Sequence, residues 1–187
     1  VQDISDRKHA EFTLQQQIRQ HYLLTDISHD IRRSLDLRTV LRRTVERVRD
    51  LLTADRVFIY RFHPDWRGTI VVESVSKDYP SALQANIDDQ YFMETQGEDY
   101  RQGRIQAVAD IDTAELSPCH VEMLAQFHIR ANPAVPVLQG EQLWGLLVAN
   151  QCSAPRTWQP TEIDLLQQIA TQAGIAIQQS ELYQLRD

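Results

Sequence analysis

The run Arg56-Val57-Phe58-Ile59-Tyr60-Arg61-Phe62, followed by the cluster His63-Pro64-Asp65-Trp66-Arg67-Gly68 and then by Thr69 to Val75, decides the fold. β-Branched and aromatic residues fill the outer parts, and the middle holds Pro, Asp and Gly. The pattern predicts two antiparallel strands joined by a six-residue connection. Just upstream the apolar period is 3.6 instead of 2. Leu37, Val40, Leu41, Val45, Val48 and Leu52 make one helical stripe, with Arg, Glu and Asp on the other faces.

Working outward, residues 4–52 read as helix almost throughout. Leu14, Ile18, Tyr22 and Thr25 form one stripe and Ile27, Ile31 and Leu35 a neighbouring one, with a break expected at 35–39. A long helix with a single apolar stripe cannot bury it alone, so a coiled-coil-like contact with a second copy is expected. Downstream, 76–103 is polar and irregular, and long ordered connections are usually functional. Arg104 to Val108 reads as a short strand. Ser117-Pro118 opens a helix carrying Val121, Leu124, Ala125 and Phe127. Val135 to Leu138 and Leu143 to Ala149 flank Gln139-Gly140-Glu141 as a final hairpin. After a loop holding Trp158, Thr161-Glu162-Ile163-Asp164 has the spacing of a helix cap. The last helix shows Leu165, Ile169, Ala173, Ala176, Ile177, Ser180 and Leu182 on one face. The order implies an α+β fold: a central antiparallel sheet flanked by long N- and C-terminal helices, with loops and a short helix on the other face.

The chain has 187 residues, enough for one ordinary domain and an appendage. Lys+Arg 19 against Asp+Glu 26 gives a net charge of −7, which argues against a nucleic-acid footprint. Hydrophobic content of 42% and charged content of 24% are globular values. The longest apolar run, Leu143 to Ala149, has seven residues, far short of the ~18 that a membrane span needs. No membrane partner is expected, and cytoplasmic is the default location. The two cysteines, Cys119 and Cys152, form neither a disulfide framework nor a zinc pattern, and the six histidines lack metal-ligand spacing.

Cys119 falls at the second position of the helix opened by Ser117, where free N–H groups and the macrodipole favour a thiolate. His120 is adjacent. The competing reading of Cys119 is buried filler, the usual state of free cysteines; for Cys152, which merely follows a strand, filler is favoured. Asp88 and Asp89 sit beside Tyr91 and Phe92 in the long connection and read either as ligand-facing acids or as solvated loop acids. Tyr100, Arg101 and Arg104 could hold anionic groups, or could simply be surface. Trp66, Trp144 and Trp158 read as core or turn packing. No phosphate-binding glycine loop, serine elbow or dinucleotide fingerprint occurs.

Together, LLTADRVFIYRFHPDWRGTIVVESV (51–75), YFMETQGEDYRQGRIQAVADI (91–111), SPCHVEMLAQFHIRANPAVPVLQGEQLWGLLVANQ (117–151) and IAIQQSELY (175–183) resemble a GAF domain of the cyanobacteriochrome type, a bilin-binding relative of phytochromes. The resemblance spans about residues 35–185. VQDISDRKHAE (1–11) resembles the exit strand and linker of a PAS domain, so the expected division is a linker helix over 1–34 and a GAF domain with a C-terminal signalling helix over 35–187. On that reading the chain is an internal piece of a multidomain sensor, with neighbouring PAS or GAF and output domains and a two-component context.

The resemblance implies a linear tetrapyrrole, phycocyanobilin or biliverdin, carried as a thioether on Cys119. His120 would lie against the pigment, and Tyr100 and Arg101 near its propionates. Asp89-Gln90-Tyr91-Phe92 matches the family's Asp-Xaa-Cys-Phe segment, with Tyr91 in place of the second Cys and Ile87 in place of the tryptophan of red/green members. A protonated, red- or far-red-absorbing dark state with 15Z/15E photochemistry follows as the expectation, with no enzymatic activity in the chain. The alternative is a GAF domain sensing a small molecule such as a cyclic nucleotide. A sulfoxide-reductase-like enzyme would need Cys152 as a resolving thiol. Asp26-Ile27-Ser28-His29-Asp30-Ile31-Arg32 resembles the phospho-accepting helix of sensor kinases, but the Pro-Leu continuation and a nucleotide-binding domain are missing.

Overall fold

The computed structural model describes residues 7–20, 37–112 and 127–184. The elements in order are α1 (7–20), α2 (Leu37–Leu52), β1 (Arg56–Phe62), β2 (Gly68–Val75), β3 (Asn86–Ile87), α3 (Gln90–Thr95), α4 (Glu98–Arg101), β4 (Gln106–Val108), β5 (Asn132–Gln139), β6 (Gln142–Asn150) and α5 (Pro160–Gln184). The six strands form one sheet in the order β3-β2-β1-β6-β5-β4, and every pairing is antiparallel.

Alternation along the central strands divides the core in two. Val57 and Ile59 of β1, Val135 and Val137 of β5, and Leu147 and Ala149 of β6 face α2 and α5. α2 contributes Leu41, Val45, Val48 and Leu52, and α5 contributes Leu165, Leu166, Ile169, Ala170, Ala173 and Ile177. The helical stripe expected over 37–52 is therefore the buried one, with Leu37 at its edge. On α5 the buried face is wider than the sequence pattern suggests, because Leu166 and Ala170 join it. The opposite sheet face carries Phe58, Tyr60 and Phe62, Ala134, and Leu146 and Val148, covered by Ala82, Phe92 and Tyr100 from the following connection. Both faces of β1 are thus buried, which is why its sequence reads as a continuous apolar run.

Several local boundaries differ from the sequence reading. The first hairpin closes over 63–67, because Gly68 already pairs with Phe62; the His63 N–H donates to the Arg67 carbonyl at 2.7 Å. The short strand begins at Gln106 and not at Arg104. The stretch 76–103 is not irregular throughout but holds β3, α3 and α4, two helices of six and four residues that are too short to show a period. α5 begins at Pro160, one residue before the expected cap. Glu162 Oε1 accepts the Gln159 N–H at 2.9 Å, so the box is Gln159–Glu162 with Pro160 as the first helical residue. Of the helical stretch expected over 4–52 with a break at 35–39, residues 7–20 and Leu37–Leu52 are described, as α1 and α2. The stripe from Tyr22 to Leu35 and the helix opened by Ser117-Pro118 lie outside the described residues.

Two glycines allow close layers. A Cβ on Gly145 of β6 would lie 2.0 Å from the Tyr60 carbonyl oxygen, and one on Gly174 of α5 would lie 2.1 Å from that of Leu138. Gly174 sits mid-helix, where alanine would add about 1 kcal/mol of helix propensity. Overpacking against a fixed carbonyl costs about 1–3 kcal/mol and opposes that gain. Gly174→Ala is therefore expected to lower the urea midpoint, despite the better helix former; a raised midpoint would mean that α5 can lift from β5 without loss.

Candidate functional site

The sheet face opposite the helices presents an aromatic floor. Phe58, Tyr60 and Phe62 lie at alternate positions of β1, and Phe92 of α3 and Tyr100 of α4 pack over it. Ring centroids are 5.0 Å apart for Tyr60–Phe62, 4.8 Å for Phe62–Phe92 and 5.3 Å for Phe92–Tyr100. Gly97, between α3 and α4, takes a φ of 65°, and a Cβ there would meet Leu143 Cδ2 at 2.5 Å. Only glycine both turns the chain and seats it this closely.

The acids stand at one end of the floor. The Asp89 carbonyl accepts the N–H groups of Phe92 (3.1 Å) and Met93 (3.2 Å), which starts α3 and fixes Asp89 at its head. Asp88 is exposed and lies 3.6 Å from the Arg67 Nε. The Tyr60 hydroxyl donates to the Ile87 carbonyl at 3.1 Å and so ties the floor to the acidic segment. Burial, and then the charges of Asp89, Asp88 and Asp65, push the Tyr60 phenol well above its ordinary range, so it remains a neutral donor.

The residues singled out in the sequence do not all converge. Phe92 and Tyr100 are brought together, with Asp89 next to them. The Tyr100 hydroxyl donates to Gln106 Oε1 at 3.1 Å. Arg101 is exposed and makes a forked pair with Glu98, at 2.9 and 2.7 Å, which holds the carboxyl of Glu98 below its usual range and raises the guanidinium. Arg104 instead lies over the Tyr100 ring, 5.6 Å from its centroid. Cys119, His120 and the Tyr91 side chain lie outside the described residues. Sequence reading missed Tyr60, Phe62 and Gln106, although the i, i+2, i+4 aromatic alternation over 58–62 was the available signal.

It also missed Arg56. This side chain is fully buried, with its Nε 3.3 Å from Glu73 Oε2. That contact is electrostatic, since the Nε lacks hydrogen-bond geometry. The other guanidinium nitrogens donate to the Phe127 carbonyl at 3.0 Å and the Pro80 carbonyl at 2.6 Å. Glu73 in turn accepts from the Ser81 hydroxyl and the Ala82 N–H, each at 2.7 Å. One buried pair therefore gathers β1, β2, the 80–82 loop and the segment leading away from Cys119. Cys152 lies 4.0 Å from an Arg56 nitrogen. Burial, with a smaller push from Asp55 and against the pull of Arg56, raises its thiol to about 11. That is the setting of packing filler and not of a nucleophile. A shallow cleft of about 430 Å³ lies elsewhere, lined by Leu52, Thr53, Gln151, Ala154, Pro155 and Arg156, none of them a candidate residue. Among the described residues there is no group of three potential metal ligands, and no helix is long and apolar enough to cross a membrane.

Glu73→Leu would strand the Arg56 guanidinium and is expected to lower the unfolding free energy by about 3–5 kcal/mol in urea titration; a loss within experimental error would show that the pair does not organise this end of the sheet. For Cys152, a thiol raised in the folded state stabilises fully below the unfolded-state value. That contribution disappears as pH rises toward about 11. In a Cys119→Ala background the remaining thiol should therefore react with an aromatic disulfide at pH 8 far more slowly than in the denatured chain.

A description of the GAF domain family matches residues 36–177. A putative methyl-accepting chemotaxis protein of Synechocystis is 40% identical over 182 residues, covering 97% of this chain and 18% of that protein, so the chain spans less than a fifth of that relative. The red-light-absorbing state of a red/green cyanobacteriochrome superposes with a TM-score of 0.74 at 43% identity, covering 80% of this chain and 98% of the other. A phycocyanobilin-bound GAF domain from a cyanobacterial phytochrome gives a TM-score of 0.80 at 32% identity, covering 88% and 96%. With an antiparallel sheet, helices on one face and an aromatic, acid-edged floor on the other, the chain belongs to the GAF domain family, and its structural neighbours are bilin-binding GAF domains of cyanobacteriochromes and phytochromes.

Proposed function

We propose that this chain is a photosensory GAF module that carries a linear tetrapyrrole on Cys119. The observation that supports this most is the aromatic floor with Asp89 at its edge, in a chain whose structural neighbours hold bilins. On this reading a long, flat, conjugated ligand lies along the aromatic side of the sheet. Phe62, Phe92 and Tyr60 supply rings for packing against it, and the sheet and Phe92 exclude water from one side. A bound bilin supplies the light absorption and the 15Z/15E isomerisation between its C and D rings.

The chain's own residues would then act as follows. The Cys119 sulfur adds across the exocyclic double bond of the A ring; the C–S bond forms, the thiol proton goes to the neighbouring carbon, and nothing leaves. His120 lies against the pigment. Asp89 accepts from pyrrole N–H groups and keeps the conjugated system protonated, which gives a red- or far-red-absorbing dark state. Tyr91 offers no second thiol, so a second linkage at the central methine does not occur. Tyr100 stands near the propionates, and Arg101 reaches one only by releasing Glu98. Phycocyanobilin is the favoured pigment, with biliverdin second. The linker helix over 1–34 and α5 carry the signal to domains outside this chain. The exposed Phe12, Leu14 and Ile18 of α1 are suited to pairing with a second copy.

The test is an absorption spectrum of the chain co-expressed with phycocyanobilin, before and after saturating light at the longest-wavelength band. A reversible difference spectrum is expected. Cys119→Ala should fold but lose the zinc-induced fluorescence that covalent pigment gives after denaturation. Persistence of that fluorescence would move the anchor elsewhere, and a chain left colourless with both pigments would favour the small-molecule-sensing reading.

A further inference from the structure

The segment that carries Asp89 begins from little backbone structure. β3 has two residues and lies at the edge of the sheet, hydrogen-bonded to β2 alone among the strands. Its register pairs are Gly68 with Ile87 and Thr69 with Asn86. Upstream, Ile70 binds Gln84 and Ala85 through the backbone, at 2.9 and 3.1 Å, but the ladder ends at Ile87. So short an edge strand is marginal by itself, and side chains must fix its end. One tether lies on the aromatic side, where the Tyr60 hydroxyl reaches the Ile87 carbonyl. Gly68 makes room for that ring, since a Cβ there would lie 1.9 Å from Tyr60 Cζ.

The second tether lies on the other face. Phe62, Ile70 and Ile87 pack on the aromatic side of the sheet, and alternation turns their neighbours His63, Thr69 and Asn86 the other way. These three are joined. The Thr69 hydroxyl donates to Asn86 Oδ1 at 2.7 Å, and His63 Nε2 lies 2.7 Å from the same hydroxyl oxygen. A hydroxyl has one hydrogen, so with that given to Asn86 it accepts from the His63 Nε2–H. His63 is itself fixed by the first hairpin turn. Its N–H donates to the Arg67 carbonyl at 2.7 Å, and its carbonyl accepts the Trp66 N–H at 2.9 Å. Arg67 of the same turn lies 3.6 Å from Asp88 Oδ1. The turn over 63–67 thus holds the acidic segment at Asn86 and again at Asp88.

Asn86, Ile87, Asp88 and Asp89 are consecutive and α3 starts at Gln90, so little slack separates this tether from the acid. Resting on the bilin reading, in which Asp89 accepts from pyrrole N–H groups, we infer that Thr69, backed by His63, is a positioning residue for the Asp89 carboxylate. Its side chain faces away from the aromatic floor, so it tunes the pigment through Asp89 and not by touching it. A carboxylate held in place stabilises the protonated, positively charged pigment. One left to drift stabilises it less, and the pigment then loses its proton at lower pH.

The test is a pH titration of the dark-state absorption band, on the chain loaded with phycocyanobilin. Thr69→Val keeps the branched shape and removes the hydroxyl. It should lower the pH at which the band bleaches by about half a unit. Without pigment, it should leave the melting temperature within about 3 °C and quicken amide exchange over 86–93 about fivefold. Thr69→Ser keeps the hydroxyl and should match the unsubstituted chain. His63→Phe should shift the midpoint in the same direction as Thr69→Val, and it carries the test if Thr69→Val does not fold. In an Asp89→Asn background, Thr69→Val should move the midpoint by less than half as much. An equal shift there would show that Thr69 does not act through Asp89 and would overturn the inference. A Thr69→Ser chain that behaves like Thr69→Val would do the same. Unchanged exchange and an unchanged midpoint in a Thr69→Val chain that still photoconverts would also overturn it, and would leave the bilin reading standing. A chain that takes up neither phycocyanobilin nor biliverdin is recognised before any variant is made, and it removes both.

Discussion

The buried ion pair between Arg56 and Glu73 is the constraint on which the ligand side of this fold rests. Two charges taken out of water are costly, and hydrogen bonds to each partner offset part of that cost. Here most of the remaining capacity is met by nearby loops: Arg56 donates to the Pro80 and Phe127 carbonyls, and Glu73 accepts from the Ala82 N–H and the Ser81 hydroxyl. The pair therefore acts less as a source of net stability than as a clamp on geometry. It decides where the chain leaves β2, how the connection begins to cross the sheet, and where the segment returning from Cys119 rejoins it.

The sheet separates two kinds of core. On the helix side, aliphatic residues of α2 and α5 pack against the sheet, with Gly174 seated close against the Leu138 carbonyl. On the ligand side, aromatic rings and a neutral phenol make a surface with specific directions. The strands between are thin, and Leu138 belongs to both sides: its side chain packs with the aromatic cluster, while its carbonyl abuts Gly174. A change in the ligand-side packing thus has a short path to the long terminal helix, through rigid contacts and not through a flexible loop.

Much of this was legible in the residues. The change from period 3.6 to period 2 near Asp55 marked the passage from α2 to β1, because burial on a helix and on a strand imposes different spacings. The final hairpin was readable from Gly140 between two apolar runs, and Gly140 does adopt a φ of 62°. Phe92, Tyr100 and Asp89 were singled out from the long connection, and the structure sets them at one floor. The helices α3 and α4 were not legible, because six and four residues are too few for a period, and their positions depend on Gly97 and on aromatic contacts across the sheet. Arg101 was grouped with Tyr100 by adjacency, yet a helical turn sends neighbours to different faces, so one is buried and the other pairs with Glu98.

Local chemistry, then, determined the class of fold and the order of the long helices and main strands, because periodicity and turn residues act over a few positions, while the family was legible as a resemblance carried by whole stretches of sequence. Tertiary structure alone decided which polar groups are buried together. Arg56 and Glu73 are far apart in the chain, and nothing in their local sequence marks them. They meet because antiparallel register brings distant residues opposite one another, and register is fixed by the core as a whole and not by any one segment.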